Sequence, residues 1–159
     1  FDSVSDTNCK GDERIMTGKI DTYSFRCGVI DAFSEVVHAG VKRIAFSHAT
    51  TDYQLFLDDI AYARITCQKY DTKMYVEEEM LTTDLFAKST SYHHYVVILY
   101  LHDEDLESYL ALKAKKRACQ AAGTYDQHRH EIATALGKLL SYSDERIEAF
   151  IKQNHDKED

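Results

Sequence analysis

The side chains best suited to chemistry follow three apolar segments of the chain, each of which is a predicted strand. They are carboxylates, a histidine and hydroxyl groups, which can move a proton or hold a polar ligand or a metal ion. The predicted catalytic residues are His48, Glu77, Glu79 and Asp84. The predicted ligand-binding residues are Ser47, Thr50, Thr51, Thr83 and Tyr100. Because ligands bind outside the carboxyl ends of the strands in an open parallel sheet, we expect these positions to meet at one edge.

The same set contains oxygen ligands of the kind that Mg²⁺ or Mn²⁺ prefers. Two or three of its carboxylates could bind such an ion, with His48 as a general base or a further ligand. The candidate metal ligands are Glu77, Glu79, Asp84 and Asp103. Asp103 joins the others only if the strand before it is parallel to them, because an antiparallel strand ends at the opposite edge. The alternative interpretation is a solvated acidic loop at 77–79 and ordinary acidic residues in the first turns of helices.

Two other groups of titratable residues are weaker candidates. His128 and His130 stand two positions apart on a predicted helix, so they point about 200° apart around its axis and cannot share one ion. A basic run lies on the helix that begins near Asp103. Its members are Lys113, Lys115, Lys116 and Arg117. At helical spacing they spread around much of the circumference, which predicts a solvated face and, second, a site for an acidic partner.

The composition argues against several classes of protein. The chain has 159 residues and a formal net charge of -8, which would repel a phosphate backbone, so no nucleic-acid partner is expected. No apolar run approaches the ~20 residues of a membrane-spanning helix, so no membrane partner is expected either. The four cysteines are too widely spaced for a CxxC zinc pattern and predict free thiols in a reducing, cytoplasmic compartment. They are Cys9, Cys27, Cys67 and Cys119.

Hydrophobic periodicity predicts helices and strands in alternation along most of the chain. The predicted helices cover 21–39 and 51–70, and three more follow Asp103. The predicted strands cover 41–47, 73–76 and 92–101, with a short extra strand around 81–86. The predicted helix N-caps are Asp21, Thr51, Asp103 and Ser143.

This order of elements predicts an α/β fold with a three- to four-stranded, mostly parallel sheet, flanking helices and a three-helix C-terminal region. The strand–helix–strand unit over 41–76 favours a parallel pair of strands. Residues 1–20 are polar with little periodicity, which predicts an irregular N-terminal arm. A single α/β domain is expected over 21–155, followed by a charged tail at 156–159.

The helix count predicts self-association. A sheet of three or four strands has room for about four helices on its two faces, and the sequence predicts five. The last helix carries Ile147, Phe150 and Ile151 and would have no sheet surface left to cover. We therefore expect a homo-oligomer, most simply a two-fold dimer with Phe150 near the contact.

These observations predict a small α/β domain that binds or acts on a small anionic or polar metabolite at the carboxyl ends of its strands, with Mg²⁺ or Mn²⁺ as a candidate cofactor. The alternative is a non-catalytic module for protein interaction or self-association that uses the C-terminal helices. The residues leave open whether the chain is an enzyme. The two hypotheses differ in one observable property, because only the first requires the polar residues to converge in one pocket.

Overall fold

The computed structural model describes residues 18–159, which form six helices and three strands. The helices are α1 (Thr22–His38), α2 (Tyr53–Tyr70), α3 (Lys88–Ser91), α4 (Asp103–Ala121), α5 (Tyr125–Leu139) and α6 (Asp144–Gln153). The strands are β1 (Ile44–Phe46), β2 (Lys73–Glu77) and β3 (Val96–Tyr100). Positions 1–17 of the predicted arm lie outside the described residues. The extra strand predicted around 81–86 is a loop.

The sheet corrects the predicted fold class, because its three strands are antiparallel rather than mostly parallel. The strand order is β1-β3-β2, and β3 pairs antiparallel with both neighbours. Its Ile98 lies opposite Phe46 on one side and Tyr75 on the other. The prediction was right that β1 and β2 point the same way, but wrong in pairing them with a parallel third strand.

The connection between β2 and β3 explains this direction. A parallel neighbour requires a crossover that carries the chain back to the opposite edge of the sheet, usually through a long helix. Residues 78–95 contain no such helix, since α3 has only four residues. The chain therefore re-enters the sheet at the edge where β2 ended, and β3 runs antiparallel.

Helices cover both faces of the sheet, and β3 shows why. All five of its residues are buried, which requires apolar cover on each face. Val97 and Leu99 pack into a core shared with α1 and α2. Val96, Ile98 and Tyr100 pack into a larger core formed with α4, α5 and α6. The molecule is thus a three-layer arrangement with a small central sheet.

The helix starts follow local side-chain chemistry. The Asp21 carboxylate accepts from the amide of Ser24, and the Ser143 hydroxyl accepts from the amide of Arg146, so both predicted N-caps are confirmed. For α2 the cap is Asp52 rather than the predicted Thr51. Asp103 lies inside the first turn of α4, where its charge complements the helix dipole.

The last helix does not need a second chain to bury its apolar stripe, because α6 packs against α5. Ile147 is fully buried and contacts Gly137 of α5, and Ile151 is buried in the same core. Phe150 is half-buried against the rings of Phe86 and Tyr142. The homo-oligomer was predicted on the premise that the last helix had no surface to cover. That premise is wrong, since helices stack on one another here as well as on the sheet.

The α5–α6 contact depends on the absence of a side chain at Gly137. A Cβ there would lie 2.5 Å from Cγ1 of Ile147. We expect Gly137→Ala to lower the free energy of unfolding by about 1–3 kcal/mol, because the overlap outweighs the gain in helix propensity. Urea denaturation measures this. The matched control is Gly28→Ala in α1, where a Cβ meets nothing within 4 Å; it should leave stability unchanged or raise it. Equal effects at both glycines would contradict the prediction.

The structure describes the helices and three of the four cysteines. None of the helices within residues 18–159 is long and apolar enough to cross a membrane. Cys27, Cys67 and Cys119 are free thiols, and Cys9 lies outside the described residues. Burial raises the pKa of the Cys67 thiol, as expected for an unreactive cysteine on a helix.

Candidate functional site

The antiparallel sheet determines which predicted residues share an edge. β1 and β2 end at the edge where β3 begins, so the residues that follow β1 and β2 lie near the same edge. Tyr100 and Asp103 lie at the opposite edge, where β3 ends. There the Asp103 carboxylate is 2.8 Å from the Lys73 ammonium. The structure therefore separates Tyr100 and Asp103 from the other candidates.

Two of the hydroxyl groups after β1 are engaged by the backbone. The Ser47 hydroxyl accepts from the amide of Val97 at 2.9 Å and so extends the hydrogen bonding between β1 and β3. The Thr50 hydroxyl accepts from the amide of Asp52 at 3.0 Å and shapes the turn into α2. The hydroxyl groups of both side chains therefore stabilise the local backbone.

His48 and Thr51 are exposed. The His48 ring lies edge-on to Phe25 of α1, with ring centroids 6.0 Å apart. The backbone carbonyl oxygen of His48 accepts from the Arg26 guanidinium at 2.6 Å. That guanidinium also forms a buried ion pair with Asp59 of α2. The loop after β1 is thus fastened to α1 and α2, and His48 faces that side of the sheet.

Glu77, at the end of β2, is the centre of a buried polar network. Its carboxylate accepts at 2.8 Å from both the Tyr109 hydroxyl and the Lys113 ammonium, and at 3.1 Å from the amide of Glu79. The Tyr109 hydroxyl in turn accepts from the amide of Leu81. Burial and the adjacent Glu77 carboxylate raise the pKa of the Tyr109 phenol, so it remains a donor. This network fixes the loop that follows β2 against α4.

Asp84 and Thr83 stabilise the same loop farther along. The Asp84 carboxylate accepts two hydrogen bonds of 2.9 Å from the Arg129 guanidinium of α5, in the bidentate geometry that suits this pair. The Thr83 hydroxyl accepts from the amide of Leu85. The loop from 77 to 87 is therefore held by α4 on one side and by α5 on the other.

The predicted Mg²⁺ or Mn²⁺ site is not assembled by these positions. Within residues 18–159, no three His, Cys, Asp or Glu side chains are placed to hold one ion. Glu77 and Asp84 are each paired with a cationic side chain, and Asp103 is at the far edge. Glu79 is exposed, and its carboxylate lies 3.3 Å from Nδ1 of His93. The geometry favours loop anchoring for the buried carboxylates.

A pocket of about 250 Å³ opens between this loop and one face of α4, and we call it the α4 pocket. Its loop wall is formed by residues 79–82, and Tyr92 lies at its side. Its helix wall is formed by side chains three or four positions apart, which is the spacing of one helix face. These are Lys113, Lys116, Arg117 and Gln120. The α4 pocket thus combines three cationic side chains with the loop that Glu77 and Asp84 anchor.

Lys116 is the most unusual residue of the α4 pocket, because its side chain is only 9% exposed. Its ammonium donates to the carbonyl oxygen of Thr82 at 2.6 Å and lies 5.2 Å from the centre of the Tyr125 ring. It also donates to both carboxylate oxygens of Glu158, at 2.7 and 2.9 Å. A buried ammonium is costly unless it is paired, so the anion beside Lys116 is essential to this arrangement.

Sequence reasoning placed Lys116 on a solvated face, and this was wrong. A signal was present, because Asp105, Tyr109, Leu112 and Lys116 recur at the spacing of a single helix stripe and all four are buried. Because lysine is charged, Lys116 was not assigned to that buried stripe. Glu158 has no comparable signal, since it belongs to a charged segment without periodicity.

Comparison with models of protein families, with curated proteins and with solved structures found no match to this chain. Function is therefore inferred from the geometry of the α4 pocket.

Proposed function

We propose that this protein binds a small metabolite carrying a carboxylate or phosphate group in the α4 pocket. The observation that supports this is the buried Lys116 ammonium. In the described part of the chain it is held by a single backbone carbonyl and by the Glu158 carboxylate. A cation with reduced access to water interacts strongly with an anion that enters the same pocket. The lining residues carry three positive and two negative charges, so the balance of charge in the α4 pocket favours an anion.

Two further donors line the same helix face. The side chains of Arg117 and Gln120 are exposed, and both border the α4 pocket. A guanidinium suits carboxylate and phosphate groups because it offers paired donors in one plane. The volume of about 250 Å³ suits a ligand of metabolite size rather than a large cofactor.

Two larger depressions of the surface are less suitable for a polar ligand. One lies on α1, between Phe25 and Phe33, and the other lies between Leu85 and Phe150. Both are open and lined largely by apolar groups. Neither contains a buried cation, so the α4 pocket is the better candidate for an anionic metabolite.

This proposal keeps the predicted ligand class and changes the residues that bind it. Glu77, Thr83 and Asp84 serve as anchors of the pocket loop, and Glu79 lies on its wall. Ser47, Thr50 and His48 lie after β1, outside the α4 pocket. The proposal is one of binding, and it assigns no catalytic residue.

The test is calorimetric titration of the full chain with inorganic phosphate, succinate and citrate, with glycerol as an uncharged reference. We expect Lys116→Met to weaken binding of the tightest probe at least tenfold, a loss of about 1.4 kcal/mol, because the variant keeps an unbranched side chain but removes the charge. The phosphate and carboxylate probes distinguish the two anion chemistries.

Lys115→Met is the matched control, since it removes the same charge one position along α4. Lys115 is exposed and pairs with Glu131 outside the α4 pocket. The affinity of Lys115→Met for the probe should lie within twofold of that of the unmodified chain, and the same is expected of His48→Ala. Equal affinity in the Lys116→Met chain would overturn the proposal. The proposal would also be overturned if none of the probes bound to the unmodified chain or to Glu158→Gln, a variant in which the carboxylate beside Lys116 is neutralised.

Self-association through the C-terminal helices and a cytoplasmic location stay predictions. The open apolar depression beside Phe150 supports self-association. The burial of Ile147 within one chain removes the premise that the last helix needs a second chain to cover it. The free thiols of Cys27, Cys67 and Cys119 support the second.

A further inference from the structure

Residues 154–159, which follow α6, lie across the loop that forms one wall of the α4 pocket; we call them the 154–159 segment. The Asn154 amide group donates to the carbonyl oxygens of Asp84 and Phe86, both at 3.0 Å. Farther along, Asp156 accepts from the backbone amides of Lys88 and Ser89, at 2.7 and 2.9 Å. These contacts bring Glu158 to the pocket.

Glu158 is held at the α4 pocket by groups that suit any carboxylate. Besides its two contacts with Lys116, its carboxylate accepts from the Tyr125 hydroxyl at 3.2 Å. Its backbone carbonyl accepts from Arg129 at 2.7 Å. Only 12% of the Glu158 side chain is exposed, although its neighbours Lys157 and Asp159 are both exposed. Glu158 therefore occupies the position that the anion of a ligand would take.

The 154–159 segment is attached by polar contacts rather than by an apolar core. Between Asn154 and Glu158 its residues are His155, Asp156 and Lys157, all of them exposed. Polar contacts at a surface exchange readily with water, so such a segment opens more easily than a packed helix. Withdrawal of Glu158 leaves Glu79 as the acidic side chain of the described pocket lining, beside Lys116 and Arg117, while Lys113 stays paired with Glu77.

We propose that the 154–159 segment is a built-in occupant of the α4 pocket, with the Glu158 carboxylate in the place of the ligand's anion. Binding of a carboxylate or phosphate ligand then releases the segment from the loop at 84–89. This inference rests on the proposed function. It adds that the apparent affinity of the site is reduced by the fraction of molecules in which Glu158 fills it.

The first test compares the affinity for inorganic phosphate, measured by calorimetry on full chains. We expect Glu158→Gln to bind phosphate at least tenfold more tightly than the unmodified chain, because an uncharged side chain competes poorly for Lys116. Glu79→Gln is the matched variant, since it removes the same charge from the same pocket without vacating Lys116. It should tighten binding at most twofold.

The outcomes separate the two proposals. Tighter binding by Glu158→Gln than by Glu79→Gln supports the built-in occupant. Equal affinities in the unmodified and Glu158→Gln chains overturn it and leave the anion site standing. If neither chain binds phosphate, succinate or citrate, the proposed function itself fails.

The second test follows release directly by amide hydrogen exchange with NMR detection. The amides of Lys88 and Ser89 are reporters, because their acceptors belong to Asp156. Saturating phosphate should speed their exchange at least fivefold in the unmodified chain and leave it unchanged in Lys116→Met. Phosphate binding without faster exchange at these two amides would show that the segment stays docked, which overturns the inference.

Discussion

Replacing Arg26 by methionine is expected to lower the free energy of unfolding by about 3–5 kcal/mol, the range found when one partner of a buried ion pair is removed. The Arg26 guanidinium donates to both carboxylate oxygens of Asp59, at 3.0 and 2.5 Å. Their side chains are 6% and 3% exposed. Both lie on helices packed into the core, so Asp59 cannot turn to water once its partner is lost. The loop carbonyl of His48 also loses its donor.

Urea denaturation at neutral pH measures this loss, and two variants serve as controls. Lys69→Met breaks the exposed pair between Lys69 and Asp31 on the same two helices, and its effect should be much smaller. The double variant Arg26→Met with Asp59→Leu should recover most of the stability, because it leaves no unpaired buried charge. Similar losses from Arg26→Met and Lys69→Met would contradict the prediction.

Arg26 also shows the limit of pattern analysis for the helices. The extent of α1 was predicted within one residue at each end, because apolar spacing and the Asp21 cap are local properties. Its buried face contains Arg26 and Ser34 beside the apolar Ile30 and Val37. A single sequence does not show that a charge on one helix meets its partner 33 positions later.

Strand direction was the main error in the predicted fold, and its cause lies in the loop after β2. The five apolar residues of β3 are typical of a central strand with cover on both faces, and β3 is that strand. They carry no information on direction, because burial on two faces is equally compatible with parallel and antiparallel neighbours. Direction depends on where residues 78–95 return to the sheet, and hence on long-range anchors such as Asp84 with Arg129.

Sequence patterns pointed to only one wall of the α4 pocket, for a related reason. The rule that ligands lie beyond strand ends led to the loop after β2, and this loop does form one wall of the α4 pocket. The opposite wall comes from α4, whose basic residues were expected in solvent. Lys113 and Lys116 reach inward because acidic partners meet them there: Glu77 for the first and Glu158 for the second.

Substitutions of Glu77 distinguish its predicted catalytic role from its structural role as an anchor of the loop after β2. We expect Glu77→Ala to lower the free energy of unfolding by about 2–4 kcal/mol, because the buried Tyr109 hydroxyl loses its acceptor and the Lys113 ammonium loses its charged partner. The raised pKa of Tyr109, caused by burial and by the Glu77 carboxylate, keeps the phenol protonated and in need of an acceptor. Chemical denaturation measures the loss.

Glu77→Gln should cost less, about 1–2 kcal/mol, since its amide oxygen still accepts from Tyr109 and Lys113 while the amide of Glu79 loses its acceptor. Glu78→Ala, one position along and exposed, should leave stability unchanged. If Glu77 anchors the loop, the Gln variant keeps phosphate binding within about threefold, because the pocket wall retains its shape. A Gln variant that unfolds normally yet loses phosphate binding altogether would show that the Glu77 carboxylate is itself required for binding, and would end the anchoring interpretation.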